Sequence, residues 1–239
     1  MPGAAMTGRA LHLLSAGAAK GLVLAMQGAF ERATGATLHA SFGAVGAMRE
    51  QLDAGVPCDA IVLTRALIDA LAAAGAVEAA SVRDLGWVHT GVAVPRAAAT
   101  AEVGDVPQLR ALLHGASAIY LPDPERATAG IHAMRVLRAL GVDPSARVRA
   151  HPHGAAAMAA MAQATDAAPV GITQVSEILY TPGVRLLGVL PPPHQLATLY
   201  SAAVTCRAAQ AALAAELLAR LTGEEGGEMR HAAGFETRR

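Results

Sequence analysis

Aromatic residues are scarce in this chain: one Trp, three Tyr and three Phe, 3% of 239 residues. With so few rings and no run of Lys or Arg, there is no basic–aromatic stripe of the kind that holds nucleic acid, so no nucleic-acid partner is expected. Charge of one sign is missing as well. Lys and Arg number 19 against 19 Asp and Glu, a formal net charge of zero, which gives a polyanion nothing to follow. The two cysteines, Cys58 and Cys206, make neither a disulfide framework nor a metal-ligand spacing and read as buried thiols. The nine histidines share no i, i+4 or metal-ligand pattern, so neither a metal nor a cofactor is expected. No apolar run reaches the roughly 18–20 residues of a membrane span. The glycines at 43 and 46 lack the remainder of a dinucleotide fingerprint, and neither a Gly-x-Ser-x-Gly elbow nor a phosphate-loop lysine occurs.

What is present is a globular composition, 53% hydrophobic and 16% charged, long enough for two lobes of about 100–120 residues each. Short apolar runs alternate with helical patterns. Leu11–Leu14 reads as a strand, Ser15–Lys20 as a small-residue turn, and Leu22, Leu24, Met26 and Phe30 as a helix ended at Thr34-Gly35. Strands are expected at 36–40 and 59–63, each leading to a turn and a helix. The rhythm breaks at 86–96, a long extended run ended by Pro95, with a loose Ala/Thr/Glu/Gly stretch behind it. It resumes with strands at 116–121, 148–151, 169–173 and 184–190, helices at 131–140 and 155–163, and three prolines at 191–193. A second crossing strand at 199–204 returns the chain to its first half, where 208–221 forms a helix; the Gly- and charge-rich tail frays. This alternation predicts parallel βαβ units, an α/β fold in two lobes with mixed, mostly parallel sheets. Residues 9–90 plus 200–239 are expected to form one lobe and 91–199 the other, with a cleft between.

The first turn carries the chemistry. A helix that starts on Ala and Gly leaves its N–H donors uncovered at the positive end of the dipole, which suits an anion. Ser15 adds a hydroxyl and Lys20 a charge. Later strand ends repeat the device: Thr64 after the third strand, Arg126 and Thr128 in the loop before the 131–140 helix, Gln174 and Ser176 after the strand at 169–173.

The runs Ser15-Ala16-Gly17-Ala18-Ala19-Lys20, Phe30–Gly35 and Ser41-Phe42-Gly43 with Gly46, followed by Gly55–Asp59, Asp123-Pro124 with Ala129-Gly130, and Gly171-Ile172-Thr173-Gln174 with Ser176-Glu177, occur in an order that resembles the periplasmic molybdate-binding protein family. The resemblance, over about residues 10 to 221, implies the type II periplasmic-binding-protein fold and a small anion held between the lobes by hydroxyls and helix-start N–H groups. It implicates Ser15 with Ala16, Gly17 and Ala18; Ser41 with Phe42 and Gly43; Thr128, Ala129 and Gly130; and Gly154. Two departures stand out: Gln174 replaces an expected tyrosine, and Lys20 is more than a neutral oxyanion site needs. An amine suits carboxylates, and a smaller branch of similar proteins looks like aconitate isomerase. Two readings therefore stand. One is a receptor for an oxyanion or a di- or tricarboxylate, with an ABC permease as partner. The other is a cofactor-free isomerase of an unsaturated tricarboxylate, with Lys20 and His153 as catalytic candidates, Arg65 or Arg126 as a clamp and Glu177 as an alternative proton carrier. The segment Met1–Ala10 and the short Leu11–Leu14 run do not make a secretory leader, so the location expected of the chain as it stands is cytoplasmic, or periplasmic if a leader has been removed.

Overall fold

The computed structural model describes residues 9–237; most of the segment weighed as a leader, residues 1–8, lies outside them. The first lobe opens with β1 (Ala10–Ala16), a one-turn 3-10 segment (Gly17–Ala19) and α1 (Lys20–Thr34). It continues with β2 (Thr37–Gly43), α2 (Val45–Asp53), β3 (Ala60–Thr64) and α3 (Arg65–Ala73). The long strand β4 (Arg83–Pro95) leads into the second lobe. There follow α4 (Val106–Gly115), β5 (Ala118–Pro122), α5 (Thr128–Ala139), β6 (Val148–His151), α6 (Gly154–Ala162), β7 (Pro169–Gln174), α7 (Val175–Tyr180) and β8 (Val184–Val189). The strand β9 (Ala197–Val204) returns to the first lobe, which α8 (Ala211–Thr222) and α9 (Gly227–Ala232) complete.

The strands run in the order β2-β1-β3-β9-β4-β7-β5-β6, with β8 on β4. Within each lobe the β1–β2, β1–β3, β5–β6 and β5–β7 pairs are parallel. The crossing strands pair antiparallel: β4 lies on β9 through His89 and on β7 from Thr90 onward. Parallel strands covered on both faces read as unbroken apolar runs, and β3 shows why. Its Val62 packs into one core with Leu22, Phe30 and Leu217, while Ile61 and Leu63 pack on the opposite face with Met48, Ile68 and Leu71. Each such Leu, Ile or Phe, taken out of water, contributes about 1.5–3 kcal/mol. The helix α1 buries Leu22, Met26 and Phe30 at four-residue spacing and stops where Gly35 adopts φ 66°, the left-handed geometry glycine takes without strain.

The structure adds one element and changes other readings. The loose stretch behind Pro95 is loop, and α4, which was not expected, follows it, capped by Asp105, whose side chain accepts from Gln108 N at 2.8 Å. The second strand does not end at residue 40 but runs through Ser41 and Phe42 to Gly43. The tail is docked as far as Glu236, while its expected fraying end, residues 238–239, lies outside the described residues: Trp87 and Glu236 exchange two backbone hydrogen bonds of 2.8 Å, and buried Phe235 meets the Tyr200 ring edge-on, 6.3 Å between centroids. Cys58 is half-buried, with its thiol donating to Ala60 O at 3.0 Å, whereas Cys206 is exposed; both are free.

Candidate functional site

The carboxyl ends of the parallel strands of both lobes face one another, where open α/β sheets hold ligands. Between them lies a cavity of about 20 Å³. Its first-lobe wall is Ala16, Gly17 and Ala18 after β1, Gly43, Ala44 and Val45 after β2, and Tyr200 on β9. Its second-lobe wall is Pro122 after β5, Ala127, Thr128 and Ala129 at the start of α5, His153 and Gly154 at α6, and Gln174 and Glu177 around the start of α7.

The helix starts on this wall differ in one respect. The turn into α1, and the starts of α2 and α5, have Ala in the N-cap position and no side-chain cap. Ala cannot accept from the first N–H groups as Ser, Thr, Asp or Asn would, so three positive helix ends face the cavity without a side-chain cap, although at α2 one donor, Gly46 N, is taken by the Arg126 carbonyl. The start of α6 is covered. His153 Nδ1 accepts from Ala156 N at 3.2 Å, and Glu177 Oε1 accepts from Gly154 N at 3.0 Å and Ala155 N at 3.3 Å. Glu177 Oε2 accepts from the Thr173 hydroxyl at 2.6 Å. This close arrangement requires glycine on both sides. A methyl group at Gly154 would overlap the Glu177 carboxylate and the Thr173 hydroxyl, and one at Gly17 would come within 2.5 Å of Glu177 Oε1.

Burial raises the Glu177 carboxyl above its ordinary pKa, against the downward pull of Thr173 and the α6 amides. Burial, and secondarily the Glu177 charge, likewise raise Tyr200. His153 is lowered by burial first, then by Lys20 and His151. Gln174 is 2% exposed, and neither its amide oxygen nor its amide nitrogen has a hydrogen-bond partner; the Tyr200 hydroxyl lies beside it without forming a bond of good geometry. A buried amide left this way costs about 1–3 kcal/mol.

The structure brings together Ala16, Gly17, Ala18, Gly43, Thr128, Ala129, His153, Gly154, Gln174 and Glu177 of the expected residues. It sets others apart. Ser15 is fully buried behind the wall, its hydroxyl donating to Ala16 O at 3.1 Å. Ser41 is exposed on β2, level with Leu14 rather than with the strand end. Thr64 begins α3 outside the cavity. Arg126 is turned outward and 52% exposed, ion-paired to Asp123 at 3.0 Å and to Glu50 at 3.5 Å. Its carbonyl accepts from Gly46 N at 3.0 Å, so Arg126 meets the other lobe through both its backbone and its side chain. Arg65 is likewise occupied, by Asp69 and Asp84. Gly130 packs against the Pro122 and Asp123 carbonyls, and Ser176 lies on α7 beside Gly21 and Ala25, away from the cavity. Neither Lys20 nor Phe42 lines the cavity; Lys20 Nζ lies 5.8 Å from the Phe42 ring centre and 5.3 Å from that of Tyr180, one ring from each lobe. Pro122, Ala127 and Tyr200 were not anticipated, nor were Ala44 and Val45 as wall residues. Among the described residues no group of three or more His, Cys, Asp or Glu is placed to hold a metal, and no helix is long and apolar enough to cross a membrane.

A family model described as bacterial extracellular solute-binding protein matches residues 11–236. An aconitate isomerase from Pseudomonas sp is 27% identical over 221 residues, covering 90% of this chain and 83% of that one. The periplasmic molybdate-binding protein of Azotobacter vinelandii superposes with a TM-score of 0.79 at 20% identity, over 96% of this chain and 100% of its own. The sulfate-binding protein of Mycobacterium tuberculosis H37Rv does so with a TM-score of 0.73 at 16% identity, over 96% and 87%. At these identities the structural likenesses establish the two-lobed periplasmic-binding-protein fold.

Proposed function

Since the chain belongs to the bacterial extracellular solute-binding protein family, we propose that it captures one small anion in the cavity between its lobes. The observation that carries this reading is the meeting of three uncapped helix starts, those leading into α1, α2 and α5, on one enclosed space. Donors fixed in advance lose little entropy on binding, and each hydrogen bond to a charged group contributes about 1.5–3 kcal/mol. Hinge motion about β4 and β9 admits the ligand, and the Gly46–Arg126 contact closes over it. The small cavity favours a compact oxyanion or the carboxylate end of a larger acid. The partner of such a receptor is an ABC permease, and the molybdate- and sulfate-binding structural neighbours support this reading. Calorimetry against molybdate, tungstate, sulfate, phosphate, citrate and the aconitate isomers tests it. Saturable binding of at least one is expected, and silence across the panel refutes it.

One feature supports a second reading. Glu177, with its raised carboxyl pKa, and the Tyr200 hydroxyl share the cavity, and such a pair can move an allylic proton in an unsaturated acid. The aconitate isomerase relative points the same way. Here Glu177 takes the proton from one carbon and returns it to another, His153 being the other proton carrier on the wall, while the helix starts hold the carboxylates. Incubation with cis- or trans-aconitate in deuterated water distinguishes the readings: an isomerase moves the double bond and exchanges deuterium, and a receptor does neither.

A further inference from the structure

Resting on the anion-binding reading above, we propose that the cleft takes its anion together with one proton, held between the ligand and the Glu177 carboxyl, so that acids retaining a proton are preferred to permanently ionised ones. The grounds are geometric. Of the helix starts on the cavity wall, that of α6 is the one already occupied by an anion, and the anion belongs to the protein. Glu177 takes the Gly154 and Ala155 N–H groups with one oxygen and the Thr173 hydroxyl with the other. When ionised it therefore offers the cavity lone pairs and no hydrogen. Gly17 lets this carboxylate approach the turn into α1 directly, so it faces the same small space as the uncapped starts of the first lobe and α5. The buried, unpartnered Gln174 amide on the same wall independently indicates a polar guest.

A guest held by those starts shares a space of about 20 Å³ with Glu177. Two ionised groups in so small a buried site repel strongly. A proton between them turns the repulsion into an O–H···O⁻ hydrogen bond, the short, charge-assisted kind. The proton either comes from solvent onto Glu177 or arrives on the ligand. In both cases one proton is bound with the anion and none is released. The lifting of the Glu177 pKa by burial agrees with this. Other ionisable groups lie near the cavity: His153 at the start of α6, His151 at the end of β6, Lys20 at the start of α1, and Tyr200 on β9, which burial keeps neutral. Protonation of either histidine would also favour an anion, so the test has to separate them from Glu177.

Inorganic sulfate and phosphate have the same shape, but at neutral pH phosphate keeps a proton and sulfate does not. Calorimetry with each from about pH 5 to about pH 9 reads the effect directly. Sulfate binding to the wild type should weaken about tenfold per pH unit above the Glu177 pKa, keep that slope in His153→Gln, and lose it in Glu177→Gln. At neutral pH the wild type should bind phosphate at least about tenfold tighter than sulfate, and Glu177→Gln should lose the preference. In two buffers of different ionisation enthalpy, at a pH above the Glu177 pKa, wild-type sulfate binding should take up close to one proton per anion, a count that does not depend on the variant folding. Sulfate binding with a flat pH profile and no proton uptake overturns the proposal and leaves the anion-binding reading intact. The same slope in Glu177→Gln as in the wild type also overturns it. Absence of binding of either anion to either protein, together with silence from the wider panel, overturns both.

Discussion

Replacing Gln174 with methionine should make the protein more stable and poorer at binding. Gln174 ends β7 opposite Thr90, where the crossing strand passes between lobes. It is 2% exposed, and its amide has no hydrogen-bond partner on either atom. Methionine is also unbranched and similar in length, so it fills the same space without the polar group. Relief of the unpaired amide is worth about 1–3 kcal/mol, or roughly 2–12 °C in melting temperature for a chain of this size. If the amide bonds the anion, its loss removes an interaction of about 1.5–3 kcal/mol, a rise in Kd of roughly 10- to 160-fold. Scanning calorimetry and a titration with the tightest-binding anion of the panel measure the two changes on one preparation. A variant that melts lower, or that binds as tightly as the wild type, refutes the assignment of Gln174 to the ligand.

Ser41→Ala should leave the anion Kd within about twofold, because Ser41 is exposed on β2; a loss of tenfold or more would mean that the β2 end rearranges on binding. Gly46→Leu should hold the lobes apart, since even a methyl there lies 3.1 Å from Arg126 Cβ and 3.2 Å from its carbonyl. Affinity should fall at least about tenfold and the radius of gyration by X-ray scattering in the presence of anion should stay at the open value. Glu177 also sets a pH dependence of folding. Its folded pKa is raised above the ordinary 4.5, so the native state holds its proton to higher pH than the unfolded chain and loses stability as pH rises through the folded pKa. Glu177→Gln should therefore gain stability relative to the wild type as pH rises through that interval and show no such gain below about pH 4. Denaturant titrations at several pH values measure this, and a relative gain on acidification would contradict it.

How much was legible in the sequence follows from what each residue depends on. The strands β1 and β3 are covered on both faces, so unbroken apolar runs announced them, and glycines and small turns marked where the parallel units join. The helix α4 was legible but overlooked: Asp105, Pro107 and Gln108 form a helix-start signature, with Gln108 Oε1 also accepting from Gly104 N. The end of β2 was not legible. Ser41-Phe42-Gly43 has turn composition, yet pairing of Leu14 with Ser41 and of Ala16 with Gly43 extends the strand and moves Ser41 off the sheet edge. Turns built from local backbone, such as Gly17–Ala18 and Thr128–Ala129, were legible as helix starts because a helix start is a local feature. Tyr200 comes to the cavity from a distant strand, and Glu177 reaches across to Gly17, so only the meeting of the two lobes shows them together. Arg126 looked like a ligand clamp because its loop is in the right place, but Asp123 and Glu50 were better partners within reach.

The backbone amides themselves provide the most direct test. In a nitrogen-15 titration with the tightest-binding anion, the largest shifts should fall on Gly17, Ala18, Val45, Thr128 and Ala129, all saturating with one common Kd. Shifts concentrated on surface arginines, or on one lobe alone, would contradict a guest held between helix starts of both.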